Sequence, residues 1–388
     1  MMRSRFEHLR RDERGMSFVW VGMGFMTFFA ASTLAIDVGM YMTARSQAQN
    51  AADAGALAGA TALVFNDYDD RSAGGPVVRS AITTAESNLV IKNTVSVQTG
   101  DVTFPLGPTG LDNRVQVNVF RTTNRNNPVA TLIGPVFGIN TVDIGATATA
   151  EASPANAVEC AKPFTVPDRW KENSIPPNGT FERYDNHGDL LPNADEYFPP
   201  GTPGHAMYGY SDALPPSGDR GLVLTLRAGT GNNIEPSFYF SWVMPGGEIG
   251  GDFYRENIAN CNKGQLGRGL DFTQEPGNKV GETNQGIDDL MAKDPLAYYD
   301  STRKKVVSPN SPSPRVFPIP LFDPDYYQNG ITHGRNASLK IVDYLGFFLE
   351  GRSGNNVYGR IVPYLGVVND SAGPAPADSF PKAIRLVQ

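Results

Sequence analysis

Cysteine is scarce in this chain of 388 residues, which has only Cys160 and Cys261. Two thiolates are too few for a metal cluster built on cysteine, but they allow one disulfide. Charged residues are also few, at 19% of the chain, and the net charge is −7. A nucleic-acid-binding groove needs a basic face, so the composition argues against nucleic acid as a partner.

Catalytic and metal-binding motifs are missing too. The four histidines stand at positions 8, 187, 205 and 333 without paired metal spacing, and no nucleophile elbow, P-loop or dinucleotide fingerprint occurs. The acidic stretch 185–189, with Asp195 and Glu196, has oxygen ligands but lacks EF-hand spacing. Because Asp, Asn and Gly are the usual turn residues, a solvated turn is the favoured interpretation. We therefore expect no enzymatic activity, no cofactor and no metal.

Glycine and proline are abundant, with 41 and 30 residues. Such a composition is typical of a turn-rich and β-rich extracytoplasmic protein. The 15 tyrosines and 21 phenylalanines are enough to fill a sizeable core, which excludes a wholly disordered chain.

A long uncharged run covers residues 16–36. As a helix, its 21 residues would extend about 31 Å, which matches a bilayer hydrocarbon core. A cleaved signal peptide is the alternative, but its apolar region is shorter and the small-residue site Thr33-Leu34-Ala35 is a mediocre one. The sequence therefore predicts a retained transmembrane helix.

Arginines are distributed unevenly about this run. The preceding leader, residues 1–15, has five, at positions 3, 5, 10, 11 and 14, whereas residues 37–71 have only Arg45 and Arg71 and no lysine. The positive-inside rule predicts a cytoplasmic N-terminus and an extracytoplasmic bulk. The bilayer itself is thus an expected partner.

Small residues dominate the next segment, 37–65, which contains no proline and is predicted to continue the helix. At helical spacing they form two adjacent rows, Ala44, Ala48, Ala52, Ala56 and Ala60 on one and Ala51, Gly55 and Gly59 on the other. Small faces let another backbone approach closely. Two interpretations remain open here: an assembly interface with another subunit, or docking on the protein's own globular head.

The order of these features resembles a known family. Arg14-Gly15, the uncharged run, the stretch 34–39 (LAIDVG) and the stretch 47–60 (QAQNAADAGALAGA) are similar to the N-terminal domain of TadG-like proteins of the tight-adherence (Flp pilus assembly) system. The resemblance covers about residues 14–65. It implies a membrane-anchored, pilin-related component of bacterial envelope machinery that builds an adhesive pilus or secretes through a related apparatus, with this protein placed in the bacterial inner membrane. It also implies other tight-adherence envelope or pilus proteins as partners, with self-association as an option.

Two family features are not carried over. Prepilins have glutamate at the fifth position after the leader glycine, whereas Trp20 stands there after Gly15. Larger TadG-like proteins often contain a von Willebrand type A domain with an Asp-x-Ser-x-Ser metal loop, and that string does not occur. We therefore expect neither a major filament subunit nor that metal site.

The predicted fold class is α+β. Residues 37–153 are predicted to form a pilin-like unit of long helix, second helix (77–90), strands (94–98, 101–104, 114–121 and 141–151) and a short helix (128–137). Residues 154–388 are predicted to form a β-rich, sandwich-like domain. Its strands are placed at 221–227, 237–243, 304–307, 315–321, 338–349, 356–367 and 382–387. One helix is predicted at 285–292, capped by Thr283 or Asn284.

The predicted topology bears on the two cysteines. An oxidising periplasm favours a disulfide between Cys160 and Cys261, and two buried free thiols are the alternative. Lys304, Lys305 and Arg303 are interpreted as a solvated strand end.

Two functions remain open. The preferred one is a structural component of tight-adherence pilus assembly or a related secretion apparatus. The alternative is an anchored adhesin or carbohydrate-binding module, for which tyrosines near 208–210, 298–299 and 326–327 would supply a surface. Core filling would account for these tyrosines equally well.

Overall fold

The computed structural model describes residues 14–66, 70–107, 110, 112–212, 218–229, 232–277, 279–310, 312–333 and 338–387. The basic leader therefore lies outside the described residues except for its last two. Two compact units are present. The N-terminal unit comprises the chain up to Gly59, Arg71–Ala150 and the end of the chain from Leu386, and the C-terminal unit comprises Ala60–Asp70 and Glu151–Arg385.

A single helix, α1, runs from Arg14 to Phe65. Its 52 residues correspond to a rod of about 78 Å. Alanine-rich sequence without proline offers the backbone no reason to break, so the predicted continuous helix is confirmed. The N-terminal unit contains this helix up to Gly59.

The second helix, α2, spans Pro76–Ser87, with proline in its first turn and Val77, Val78, Ala81 and Ala85 buried. Seven strands follow: β1 (Leu89–Val90), β2 (Asn93–Thr94), β3 (Val102–Thr103), β4 (Arg114–Arg121), β5 (Val129–Ala130), β6 (Thr141–Val142) and β7 (Ile144–Pro154). The alternation of β4 places three valines in the core, as its sequence predicts. In the sheet, β4 lies between β3 and β7.

The predicted short helix at 128–137 is wrong. Strands β5 and β6 pair as an antiparallel hairpin, and only Gly134–Phe137 makes a single 3₁₀ turn. Pro128 and Pro135 disfavour a helix interior, and the β-branched residues between them favour extended backbone.

The C-terminal unit contains twelve further strands and four helices among the described residues. The strands are β8 (Ala157–Val158), β9 (Phe164–Pro167), β10 (Val223–Ala228), β11 (Phe238–Ser241), β12 (Leu266–Gly267), β13 (Asp271–Thr273), β14 (Tyr298–Asp300), β15 (Lys305–Val307), β16 (Val316–Phe322), β17 (Ser338–Ser353), β18 (Asn356–Ile361) and β19 (Lys382–Val387). The helices are α3 (Pro203–Tyr208), α4 (Gly251–Ala259), α5 (Val280–Ala292) and α6 (Pro324–Thr332). The last two residues of β19 belong to the N-terminal unit, whose sheet has the order β19-β7-β4-β3.

The β-rich domain is confirmed, but its strands close into a ring instead of two facing sheets. The order is β17-β16-β9-β11-β10-β18, and β18 pairs again with β17, while β13 adds to the edge of β17. The 16 residues of β17 permit this, since Phe348 is paired with Val316 on one side and with Arg360 on the other. A closed ring of strands leaves no open edge, which explains why the sandwich prediction fails.

Among the described residues, the two larger apolar clusters of this unit include side chains of the ring. One joins barrel residues such as Phe347 and Leu349 to Tyr254 of α4 and Ile287 of α5. The other is built around Trp242 and Phe322 and includes Tyr327 of α6. Burial of large aromatic side chains on this scale stabilises the domain strongly.

Helix α5 begins at Val280, earlier than predicted. Thr283 lies inside the helix and is buried, with its hydroxyl 3.2 Å from the hydroxyl of Tyr254. It is therefore an interior contact with α4, and the predicted cap at Thr283 or Asn284 is wrong.

Candidate functional site

The N-terminal part of α1 is exposed and apolar. Among the described residues this is the one helix long and apolar enough to cross a membrane. None of its most apolar window is buried, and Phe18 and Met26 are 81% and 76% exposed. Side chains of this kind are stable in contact with lipid tails and unfavourable in water.

Burial on α1 begins where the uncharged run ends. Asp37, Met40 and Tyr41 are half-buried, and the whole predicted small face follows them. Its eight residues are all buried: Ala44, Ala48, Ala51, Ala52, Gly55, Ala56, Gly59 and Ala60. The spacing of three and four residues identifies one continuous helical stripe.

Within the N-terminal unit, this stripe packs on α2 and β4. A Cβ added to Gly55 would lie 2.9 Å from the Ala85 Cβ, and one added to Gly59 would lie 2.8 Å from Val115 Cγ1. These glycines are needed because the neighbouring backbones approach too closely for a side chain. The chain therefore uses its small face internally, which is the docking alternative left open by the sequence.

Two glutamines beside the stripe also bind the rest of the N-terminal unit. We call this part, which consists of α2 and strands β1–β7, the head. The Gln47 Oε1 accepts a hydrogen bond of 2.8 Å from the Ile91 amide, and the Gln49 Nε2 donates one of 3.1 Å to the Thr147 carbonyl. Asn50, which is exposed, serves as the reference for the side of α1 opposite the stripe.

Among the described contacts of α1 with the rest of the N-terminal unit, that of Asp37 lies nearest to the uncharged run. The Asp37 carboxylate accepts hydrogen bonds from the backbone amides of Leu132 (2.9 Å), Ile133 (3.2 Å) and Gly134 (2.7 Å). Charged acceptors of amide hydrogen bonds are stronger than neutral ones. The hairpin of β5 and β6 is thereby fixed to the point where the helix leaves the uncharged run, and no local sequence pattern signals this contact.

In the C-terminal unit, Cys160 and Cys261 form the predicted disulfide, with their Cα atoms 4.4 Å apart. The bridge joins positions separated by 101 residues. It stabilises the unit chiefly by limiting the unfolded chain, and it is typical of proteins outside the cytoplasm.

The disulfide lines a cavity of about 910 Å³. Lys162, Lys293, Lys304 and Lys305 contribute to its wall together with several apolar side chains, including Phe317. The Lys162 Nζ donates a hydrogen bond of 2.7 Å to the Asn260 carbonyl. Burial and then the nearby charge of Lys293 lower the pKa of Lys162 to about 7. The predicted solvated Lys304 and Lys305 are indeed exposed, but they border this cavity.

A buried ionic network centres on His205 of α3. Its Nδ1 lies 2.6 Å from Asp378 Oδ2 and its Nε2 lies 3.1 Å from Asp168 Oδ2. The Tyr197 hydroxyl donates a further bond of 3.0 Å to Asp168. Burial opposes the charged ring, but the hydrogen bonds and charges of Asp168 and Asp378 outweigh it and raise the pKa of His205 to about 9. The protonated His205 ring lies between two carboxylates. It therefore joins three segments that are distant in sequence, those around positions 168, 205 and 378.

The acidic turn has the hydrogen bonds of a solvated turn. The Asp185 carboxylate accepts from the amides of His187 and Asp189 at 2.8 and 3.0 Å, and these bonds lower the pKa of Asp185. The described part of the chain contains no group of three or more candidate ligands that could hold a metal ion.

The tyrosine pairs are divided between core and surface. Tyr210 and Tyr327 are buried, whereas Tyr298 and Tyr326 are 55% and 40% exposed. Core filling thus accounts for one tyrosine of 208–210 and one of 326–327, whereas neither tyrosine of 298–299 is buried.

Comparison with known proteins identifies the N-terminal segment. Residues 15–62 match the model of a family described as "Putative Flp pilus-assembly TadE/G-like". The curated proteins give no match. The solved structures give no match either. The match covers the exposed apolar run and the whole of the buried small face, so residues 15–62 are similar to the TadE/G-like family, as the sequence resemblance indicates.

Proposed function

We propose that this protein is a non-enzymatic, membrane-anchored component of a tight-adherence (Flp) pilus assembly or a related secretion apparatus. The observation that carries the proposal is the match of residues 15–62 to the TadE/G-like family. In this proposal α1 is retained in the bacterial inner membrane, and both compact units lie in the periplasm. The protein contributes to pilus biogenesis or adhesion by contacting other envelope subunits.

The charge pattern and the disulfide support the orientation. Five arginines precede the uncharged run and only two follow it in residues 37–71, which favours a cytoplasmic leader. A disulfide between Cys160 and Cys261 forms and persists in an oxidising compartment. Both features agree with a periplasmic C-terminal unit.

Assembly contacts are expected at surfaces other than the packed part of the small face. The exposed apolar length of α1 from Met16 to Ile36 is open to another helix in the bilayer. A contact through Ala44–Ala60 would require this face to separate from α2 and β4. The assembly role of that face stays a proposal that the glycine variants discussed below address.

The proposal is tested in a host that carries the tight-adherence genes. Deletion of this gene is expected to reduce surface pili, and the full chain is expected to restore them. A chain in which Phe25 and Phe29 are both replaced by arginine should fail to restore them, because charge at the centre of a span is costly. Normal piliation after deletion would contradict the proposal. The orientation is tested by fusing a reporter that is active only in the cytoplasm after residue 70, and activity of that fusion would contradict the orientation.

An anchored adhesin or carbohydrate-binding module is the second candidate. The cavity favours it, because Phe65 and Tyr364 contribute partly exposed aromatic rings to its wall and aromatic rings are common in small-molecule sites. Binding of the detergent-solubilised full chain to a glycan array, lost when Lys304 and Lys305 are replaced by glutamate, would support this candidate. Normal pili in the deletion strain would then be the expected accompanying result.

A further inference from the structure

The hairpin of β5 and β6 has an exposed apolar end. We call residues 131–140 the apolar tip. Its large side chains are exposed to solvent: Leu132 (69%), Val136 (78%), Phe137 (62%) and Ile139 (55%). The whole stretch 126–142 has no charged residue. Clusters of exposed apolar side chains usually mark a contact with a membrane or another protein.

The apolar tip is fixed at the end of the uncharged run. Asp37, the first charged residue after residues 16–36, accepts the amide hydrogen bonds of Leu132, Ile133 and Gly134. A helix of 21 residues already covers the hydrocarbon core, about 30 Å thick. Asp37 is therefore expected at the boundary between the hydrocarbon and the lipid headgroups.

Other contacts show which end of the N-terminal unit carries the tip. Thr147, in β7 of the sheet, contacts Gln49. Ile91, in the β1–β2 turn, contacts Gln47. Both contacts lie further from the uncharged run along α1 than Asp37 does. Twelve residues separate Asp37 from Gln49, which corresponds to about 18 Å along a helix. The hairpin thus extends from the sheet back toward the uncharged run, and its tip is level with Asp37.

We propose that the apolar tip inserts into the interfacial layer of the bilayer leaflet from which α1 emerges. The inference rests on the proposed membrane anchor. A bilayer is the favoured occupant because the tip is level with the end of the span. It also combines exposed aliphatic and aromatic side chains with a lack of charge over residues 126–142, so its entry into the interfacial layer desolvates no ionised side chain. Helix and tip then hold the N-terminal unit at two points, which prevents its rotation about the helix axis.

The test uses the full chain in phosphatidylcholine vesicles with a single environment-sensitive fluorophore. The native cysteines are bridged, so a new cysteine is the only free thiol to be labelled. Val136→Cys and Phe137→Cys report on the tip. Leu89→Cys is the matched control, since Leu89 is 53% exposed and lies beside the contact with Gln47. Phe25→Cys reports on the span.

The tip probes are expected to show blue-shifted emission and quenching by headgroup nitroxide lipids, while the Leu89 probe keeps aqueous emission. If the Phe25 probe is quenched by nitroxide on the lipid tails and both tip probes remain aqueous, the anchor stands and the tip proposal is overturned. A blue shift without lipid quenching means that protein covers the tip, which also overturns it. If the Phe25 probe itself is aqueous, the membrane anchor fails and the tip proposal fails with it.

A second measurement tests the two-point attachment. In the chain with Val136→Asp and Phe137→Asp, carboxylates replace exposed side chains, so folding should be unaffected. A spin label attached through Leu89→Cys is then read by electron paramagnetic resonance in oriented bilayers. Its distribution of orientations should be broader in this chain than in the chain with the unmodified tip. An unchanged distribution would contradict the attachment.

Discussion

Asp37 and Gly134 are 97 positions apart, yet the Asp37 carboxylate accepts a hydrogen bond of 2.7 Å from the Gly134 amide. The contact ties the apolar hairpin to α1, which among the described residues is the one helix long and apolar enough to cross a membrane. A Cβ on Gly134 would lie 2.4 Å from the Ile139 carbonyl oxygen, so the tight turn that presents this amide requires glycine. This carboxylate thus holds the hairpin to α1 at the end of the uncharged run, in addition to the packing of the small face further along the helix.

Replacing Asp37 should loosen the hairpin without unfolding the head. In Asp37→Ala the amides of Leu132–Gly134 lose their charged acceptor, at a cost of about 0.5–2 kcal/mol, by analogy with helix caps. Amide exchange in residues 131–134 should accelerate severalfold, while β4 stays protected. Asp53→Ala is the control, since Asp53 bonds only to Gln49 among the hydrogen bonds described. Equal exchange in Asp37→Ala and the unmodified chain would contradict the role of this carboxylate.

Leucine at the buried glycines should destabilise the N-terminal unit. Gly55→Leu and Gly59→Leu each gain about 0.8–1 kcal/mol in helix propensity, but they must displace Ala85 or Val115, and overpacking costs about 1–3 kcal/mol or more. Protease sensitivity of the head measures the net effect, and Asn50→Leu, on the exposed side, should leave it unchanged.

The same variants separate the two uses of the small face. A head that stays protease-resistant while the protein loses its envelope partners would identify an assembly interface. A protease-sensitive head would show that the small face is needed to fold the protein's own N-terminal unit. The burial of the small face favours this outcome.

Loss of the disulfide should destabilise the C-terminal unit. The bridge joins positions 101 residues apart, for which the chain-entropy model gives about 4 to 5 kcal/mol. Cys160→Ser with Cys261→Ser should lower the midpoint of denaturant unfolding accordingly. Thiol labelling of the denatured but unreduced wild-type chain should find no free cysteine, and labelling of both would refute the bridge.

The His205 network predicts a pH dependence. The folded pKa of about 9 exceeds the unfolded value of about 6.5, so the stabilisation is complete below pH 6.5 and is lost as the pH rises through 9. After allowance for solvent at partly exposed Asp378, we expect a loss of roughly 2 kcal/mol. Calorimetry of the wild type and His205→Gln between pH 6 and 10 measures it. His187→Gln, at an exposed histidine, should retain the wild-type profile, and a profile unchanged by His205→Gln would contradict the network.

The sequence predicts those elements whose cause is local. Uninterrupted small and apolar residues define α1, and strict alternation defines β4 at its observed bounds. Strand β9 is not predicted because Phe164–Pro167 is short, follows Pro163 and ends in a proline, and its pairing partners lie far away in sequence. Ring closure through β17 was missed for the same reason.

The candidate site is likewise predicted only where its features depend on local sequence. The small face is visible as helical spacing, but spacing alone does not identify what covers it. The bonds from Asp37 to the hairpin join positions about 95 apart, and the His205 network joins positions 168, 205 and 378. Such pairs follow from tertiary packing and leave no pattern in a single sequence.

In the proposed function, α1 lies among the membrane subunits of a tight-adherence apparatus. A photo-crosslinking amino acid at Met26, which is 76% exposed on α1, reports the neighbours of this helix in native membranes of a host that carries the tight-adherence genes. We expect adducts that contain other tight-adherence proteins and that disappear when those genes are deleted. Adducts with lipid alone, or a pattern unchanged by the deletion, would contradict the proposed function.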